Sequence, residues 1–194
     1  MFNDLSSPLA LLETRRSCRP RDLTFPGPNP DQLRIILAAG LRTPDHGKLH
    51  PWRFVHVTRD SRVDFAELLQ KAYLVQNSAP GRLEREANEK FAHQAPELIV
   101  VVFSPRPSSK VPLWEQELSC GAACMNLLSA AASTGFCGGW VSGWAAYNET
   151  VRDAFGVAGE RIAGFIFLGT PACPLEERDR PAYDAVVSEW VSPD

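Results

Sequence analysis

Several features that would assign the chain to a well-known class are missing from its sequence. Its 20 lysine and arginine residues do not outnumber its 23 aspartate and glutamate residues, and no basic run stands out, so nucleic acid and anionic membranes are not expected as partners. No stretch approaches the roughly 18 apolar residues of a membrane span, and the N-terminus lacks the basic start and long apolar core of a signal peptide. We therefore expect a cytoplasmic protein.

Cysteine pairs and nucleotide-binding fingerprints are missing as well. The five cysteines include no C-x-x-C pair, and their odd number leaves one out of any disulfide scheme, which favours reduced thiols. Neither G-x-G-x-x-G after a strand nor G-x-x-x-x-G-K-[ST] occurs, which excludes the dinucleotide fingerprint and the P-loop. The 194 residues, of which 44% are apolar and 22% charged, suit one ordinary globular domain, expected over residues 1–194.

Apolar periodicity predicts helices interleaved with strands. Helices are predicted near residues 5–16, 29–43, 62–73, 82–94, 114–134 and 148–156, and strands near 52–58, 97–105 and 161–171. The continuous β-branched run ELIVVVF is typical of a strand that is covered on both faces and central in its sheet. The long helix is rich in small residues, which predicts a deeply buried helix and an α/β or α+β layered domain.

Two segments contain residue types suited to an anionic or flat ligand. In TRRSCR, Arg15, Arg16 and Arg19 accompany Ser17, and guanidinium groups match phosphate geometry. Alternatively, these arginines complement the dipole at a helix C-terminus and stay in water, which the cluster by itself favours. In GFCGGWVSGW, four glycines either let the backbone approach a flat ligand or form a flexible surface loop.

The stretch TPDHGKLHPWRF joins a predicted helix to a predicted strand and gathers polar side chains. Asp45, His46 and His50 form a conceivable set of metal ligands. An H-x-x-x-H spacing on an irregular segment lacks the helical support that gives such a spacing meaning, so no metal site is expected.

Four segments taken together resemble the nitroreductase family, most closely its small single-domain members. They are LLETRRSCR, AGLRTPDHGKLHPWRFVHV, WEQELSCGAACMNLLSAAASTGFCGGWVSG and GFIFLGTP, in the order and spacing of that family and spread over nearly the whole chain. The resemblance implies a nitroreductase-like α+β fold with a central mixed or antiparallel sheet flanked by helices. It also implies a homodimer, with the long central helix and FMN at the subunit interface.

The resemblance also implies which residues contact FMN: Arg15, Arg16, Ser17, Arg42, His46, Trp140, Val141 and Ser142. The arginines and serine of R-R-S are expected at the phosphate and ribityl chain, and residues 140–142 along the flavin ring. Arg42 and His46 are expected to reach the flavin bound mainly by the partner subunit. Arg19 corresponds to a basic position near the pyrimidine edge, and Arg178 and Arg180 to a pair that supports the phosphate.

By the same resemblance, the chain is an NAD(P)H nitroreductase-type flavin oxidoreductase. Hydride from NADH or NADPH would pass by a ping-pong route through flavin N5 to nitroaromatics, quinones or similar electron-poor acceptors, with no catalytic side chain. The chain departs from the family pattern at Val141, where close relatives carry arginine, and at Lys48 and His50, where Asn-x-Gln is common. A non-catalytic flavin-binding dimer and a metal-dependent hydrolase remain the alternatives.

Overall fold

The computed structural model describes residues 2–193, which form an antiparallel sheet of five strands between two layers of helices. The helices are α1 (Pro8–Thr14), α2 (Pro30–Gly40), α3 (Arg62–Gln76), α4 (Arg82–His93), α5 (Leu113–Ser133), α6 (Gly143–Tyr147), α7 (Glu149–Phe155) and α8 (Tyr183–Val186). The strands are β1 (Leu23–Thr24), β2 (Trp52–His56), β3 (Glu97–Phe103), β4 (Cys137–Val141) and β5 (Arg161–Pro171).

Four strands have the order β1-β5-β3-β2, and the fifth strand, β4, also pairs with β5. Every pairing is antiparallel, in agreement with the α+β expectation. The apolar run of β3 lies between β2 and β5, so its predicted central position is confirmed.

Alternating residues of β3 supply two separate cores, because successive side chains of a strand face opposite sides of the sheet. Val100 and Val102 pack with residues of α3, α4, α6 and α7. Ile99 and Val101 pack on the other face with residues of α2 and α5. The sheet is therefore covered on both faces.

Local sequence signals place several helix ends where they were predicted. Asn29 accepts a hydrogen bond from the Gln32 N–H, and the Gln32 side chain accepts one from the Asn29 N–H, so α2 begins with a capping box. Asn148 caps α7 by accepting from the Val151 N–H at 3.1 Å.

In the described part of the chain, no helix is long and apolar enough to cross a membrane.

Helix α5 spans 21 residues and is buried on one side only. Its small residues, such as Ala123 and Cys124, are fully buried against the sheet. Trp114 and Leu118 lie on its open side, where they are 65% and 52% exposed. The prediction of a deeply buried helix is therefore correct for one face of α5.

The glycine-rich segment after α5 is not a flexible surface loop, contrary to one of its two sequence interpretations. It forms strand β4, in which Gly138 and Gly139 are buried. A Cβ atom at Gly138 would lie 2.6 Å from Leu128 Cδ2, so a larger residue there would have to displace the Leu128 side chain. Pairing with β5, which lies far along the chain, creates this strand.

Candidate functional site

The segment that follows α1 is extended and turns its side chains alternately inward and outward. Arg15 and Arg19 have φ/ψ angles of −60°/127° and −64°/135°. Arg16 and Cys18 are buried, Arg15 is half-buried, and Ser17 and Arg19 are exposed. The motif R-R-S-C-R is thus divided into two rows of side chains. The inner row is Arg16 and Cys18, and the outer row is Arg15, Ser17 and Arg19.

This segment lies directly against β4. The Cys18 N–H donates a hydrogen bond to the Gly138 carbonyl at 3.1 Å, and the Cys137 thiol donates to the Arg16 carbonyl at 3.2 Å. A Cβ atom at Gly139 would lie 2.5 Å from the Cys18 carbonyl oxygen, so this close approach needs a glycine. The fold thereby brings together the two segments that the sequence indicated as ligand-binding.

The outer row concentrates positive charge beside a polar cavity. Arg15 Nη1 donates a hydrogen bond to Ser17 Oγ at 3.2 Å. Burial lowers the pKa of Arg15, and the nearby positive charge of Arg16 lowers it further. Arg16, Ser17, Arg19 and Arg178 line a neighbouring cavity of about 110 Å³, together with the acidic residues Asp22, Glu176 and Glu177, whereas Arg15 lies outside its lining. An anion at this place would relieve the repulsion between the guanidinium groups.

Arg16, in the inner row, is engaged by the segment that follows β5. Its Nε and Nη2 atoms donate to the Glu176 carbonyl at 2.8 and 2.6 Å, and Nε lies 3.3 Å from a carboxylate oxygen of Glu177. The Arg16 side chain is only 6% exposed. The structure therefore directs this predicted cofactor residue toward the protein's own backbone.

The end of β4 forms a turn of defined geometry. Trp140 Nε1 donates to the Ala163 carbonyl at 3.1 Å, which fixes the indole while leaving the residue 42% exposed. Val141 is half-buried. Ser142 then precedes Gly143, whose φ of +66° starts α6 and suits a glycine. Residues 140–142 thus present an exposed ring and a turning backbone at the end of β4.

The helix-to-strand turn between α2 and β2 is closed by one aspartate. The two carboxylate oxygens of Asp45 accept hydrogen bonds from the backbone N–H groups of Leu49 and His50, at 3.1 and 2.8 Å. Gly47, with φ of +76°, allows the chain to reverse within this short distance. The Asp45 carboxylate is therefore used by the turn itself.

Two residues near the start of helix α5 contact this turn. Ser119 Oγ donates to the Pro44 carbonyl at 2.7 Å, and His46 Nδ1 lies 2.6 Å from a Glu115 carboxylate oxygen. Arg42 is exposed at the start of the turn. Arg42 and His46 are thus held at the surface, near the N-terminal end of α5.

The geometry of this turn gives a metal ion no ligand set. His46 faces Glu115, whereas His50 Nε2 is 4.0 Å from the nearer carboxylate oxygen of Asp45. Across residues 2–193, no group of three or more His, Cys, Asp and Glu side chains is arranged to hold a metal. The hydrolase alternative therefore gains no support from the structure.

Two larger cavities lie outside the arginine cluster. One, of about 450 Å³, lies between α5 and β5 and is lined in part by Glu117, Gly121 and Trp140. The other, of about 1070 Å³, lies between α2 and β2, where Leu33 and Trp52 contribute to its wall. Of the predicted cofactor residues, Trp140 lines the first cavity and none lines the second.

Comparison with known proteins identifies the family. The model of the nitroreductase family matches residues 12–170. The chain belongs to the nitroreductase family. A relative from Escherichia coli (strain K12), named as an NAD(P)H nitroreductase, YdjA, is 39% identical over 164 residues, or 84% of this chain and 87% of the relative.

Solved structures show the same nitroreductase fold. A nitroreductase-like family protein from Bacillus cereus matches with a TM-score of 0.78 at 20% identity, covering 95% of this chain and 96% of that one. A nitroreductase with bound FMN from Bacteroides fragilis NCTC 9343 matches with a TM-score of 0.68 at 22% identity, covering 93% of this chain and 98% of that one.

In this nitroreductase, the predicted cofactor residues fall into two groups. Arg15–Ser17 lies beside β4, and residues 140–142 continue from that strand. Arg42 and His46 form the second group, and within residues 2–193 no hydrogen bond or ion pair joins them to the first group. Within the described residues, the two groups are therefore not linked to each other by polar contacts.

The sequence interpretation missed two residues that support these groups. Glu115 belongs to the segment WEQELSCGAACMNLLSAAASTGFCGGWVSG that carries the family resemblance, and an acidic residue at the start of a long helix is the signal that could have found it. Glu176 contributes its backbone carbonyl to Arg16, and no side-chain pattern reveals such a contact in advance.

Proposed function

We propose that the chain is an FMN-dependent NAD(P)H oxidoreductase that reduces nitroaromatics, quinones or similar electron-poor acceptors, with one FMN-binding domain over residues 1–194. The observation that carries the proposal is the contact between the R-R-S segment and β4. This contact places a positive outer row next to the turn at residues 140–142. A relative named as an NAD(P)H nitroreductase and a similar structure with bound FMN support the same cofactor and activity.

The outer row suits the phosphate of FMN. Arg15, Ser17 and Arg19 offer guanidinium and hydroxyl donors on the same side of the segment, and Arg178 faces the cavity that Ser17 and Arg19 line. Guanidinium groups bind phosphate through paired charge-assisted hydrogen bonds. We assign the phosphate and ribityl end of FMN to Arg15 and Ser17, within the segment that includes Arg16.

The turn after β4 suits the flavin ring. Trp140 is held by its bond to the Ala163 carbonyl, so residues 140–142 form a preorganised edge for a flat ligand. FMN bound here would supply the hydride chemistry between NADH or NADPH and the acceptor. Val141 brings no charge to this edge, so the positive charge near the ring is assigned to Arg19.

A second copy of the chain completes the proposed site. The turn that contains Arg42 and His46 is held against α5 through Pro44 and His46, and Arg42 is exposed. We propose that they reach the FMN held mainly by the partner in a homodimer. Exposed apolar side chains support this assembly, since Trp114 and Leu118 on α5 are 65% and 52% exposed and Trp190 is 82% exposed.

We also propose that the protein acts in the cytoplasm. All five cysteines are free, including the exposed Cys173, as suits a reducing compartment.

The activity is tested with the purified protein, NADH or NADPH, and a nitroaromatic or quinone acceptor. The proposal predicts that the dinucleotide is oxidised steadily and that the rate depends on both FMN and acceptor. Bound FMN without turnover of any acceptor would instead favour the non-catalytic flavin-binding dimer. Stoichiometric zinc or manganese without flavin would favour the hydrolase.

A further inference from the structure

Arg16 lies where three distant segments meet. Its N–H donates to the Asn3 side-chain oxygen at 2.8 Å, and its carbonyl accepts from the Cys137 thiol at 3.2 Å. Its guanidinium donates twice to the Glu176 carbonyl, at 2.8 and 2.6 Å. The N-terminal segment, β4 and the segment after β5 are thus all attached to one buried residue.

The segment after β5 forms one wall of the small cavity beside the outer row. Residues 173–178 of this segment line the cavity together with Arg16, Ser17 and Arg19. Before the contact with Arg16, the segment is anchored by the Ala172 N–H, which donates to the Asp22 carbonyl at 2.8 Å, and by the half-buried Leu175. Residues 176–193 are exposed, so the bonds from the buried Arg16 to Glu176 hold the start of the exposed tail.

The contacts of Arg16 make it a poor direct ligand for a phosphate. A guanidinium has five N–H donors. In Arg16, the Nε and Nη2 atoms already donate to the Glu176 carbonyl. Arg16 borders the small cavity together with Ser17, but its side chain is buried and its guanidinium is turned to the Glu176 carbonyl, whereas Ser17 is exposed. Turning Arg16 toward the outer row would break both hydrogen bonds that it donates to the Glu176 carbonyl.

We propose that Arg16 is a positioning residue, which fixes residues 173–178 as the wall of the cavity, while Arg15 meets the phosphate of the cofactor. The nature of the anion rests on the proposed function. The attachment of the wall to Arg16 does not depend on it.

The test compares Arg16→Met and Arg16→Lys with the matched control Arg15→Met. A nitroxide spin label is attached to Cys173, the exposed cysteine, since the other four cysteines are buried. Electron paramagnetic resonance of the labelled full-length protein reports the mobility of the wall, with and without added FMN. The affinity for FMN is measured by titrating the unlabelled proteins.

Both Arg16 variants are expected to shift the label spectrum toward its mobile component before FMN is added, and to weaken FMN binding about tenfold or more. Arg16→Lys keeps the charge but cannot form the paired bonds, and it serves if Arg16→Met does not fold. Arg15→Met should weaken FMN binding without changing the label spectrum.

Weaker FMN binding with an unchanged spectrum in the Arg16 variants would show direct contact with the cofactor and overturn the proposal. A mobile wall with unchanged FMN affinity would overturn it as well. If the wild type binds no FMN, the proposed function fails, but an immobile label in the Arg16 variants would still overturn the attachment of the wall.

Discussion

Arg15 and Arg16 are adjacent in the sequence, yet their guanidinium groups meet different partners. Arg15 donates to the Ser17 hydroxyl on the outer row, whereas Arg16 holds the Glu176 carbonyl. The extended backbone turns successive side chains to opposite sides. Arg15 is therefore suited to binding an anion, and Arg16 is suited to fixing the segment that follows β5.

Arg53 and Glu160 form a second arginine contact, which is structural. Arg53 Nη2 lies 2.8 Å from a carboxylate oxygen of Glu160, whose side chain is 8% exposed. The hydrogen bond with Arg53 lowers the pKa of Glu160 from 4.5 to about 2. Because the folded-state pKa is lowered, the pair stabilises the protein fully above pH 4.5, and this stability is lost as the pH falls toward 2.

Glu160→Gln is predicted to lower the free energy of unfolding at neutral pH by about 2 kcal/mol, less than the full pKa shift implies because Arg53 is partly exposed. The difference from the wild type should shrink steadily as the pH falls below 4.5. Urea unfolding of both proteins at one concentration, from neutral to acidic pH, measures this. A difference that stays constant with pH would contradict the assignment.

At the scale of elements, the function depends on how closely the R-R-S segment approaches β4. Gly139 permits that approach, because a Cβ atom there would lie 2.5 Å from the Cys18 carbonyl oxygen. The clashing oxygen belongs to the backbone of the R-R-S segment, so rotation of a side chain cannot relieve the clash.

Gly139→Ala is therefore predicted to push the segment away from β4, weaken FMN binding about tenfold or more and lower the free energy of unfolding by about 2 kcal/mol. Flavin titration and urea unfolding measure the two effects. Gly81→Ala is the matched control, since its Cβ would make only an ordinary 3.5 Å contact with Glu84. Equal FMN affinities in Gly139→Ala and the control would contradict the proposed placement of the site.

The elements that the sequence predicts well are those with strong local signals. The start of α2 at Asn29 follows from a local capping signal, and the strand β3 follows from its β-branched run. Both predictions are confirmed. Strand β4 was ambiguous because it exists only through pairing with β5 and packing against Leu128. The contact of Arg16 with Glu176 joins residues 160 positions apart, beyond the reach of any local pattern.

At the scale of the whole molecule, a well-covered sheet contrasts with an uncovered helix face. Both faces of the sheet are buried, yet α5 exposes Trp114 and Leu118 on its open side. The same helix holds His46 through Glu115. The proposed dimer would bury this face and bring Arg42 and His46 to the partner's cofactor.

Leu118→Arg is predicted to convert the dimer to a monomer, because it places a charge within the proposed apolar contact. It should also weaken FMN binding, since Arg42 and His46 would no longer be supplied by a partner. Light scattering after size-exclusion chromatography and flavin titration measure the two effects. Leu83→Arg on α4, where the leucine is 72% exposed, is the control and should remain dimeric. A monomeric wild type, or a dimeric Leu118→Arg variant, would contradict the assembly.

The most direct test of the proposed activity is the absorption spectrum of the purified protein before and after NADPH or NADH is added without oxygen. The account predicts a flavin spectrum that either dinucleotide bleaches and that a nitroaromatic or quinone then restores. A colourless protein whose spectrum does not change when FMN is added would contradict the account.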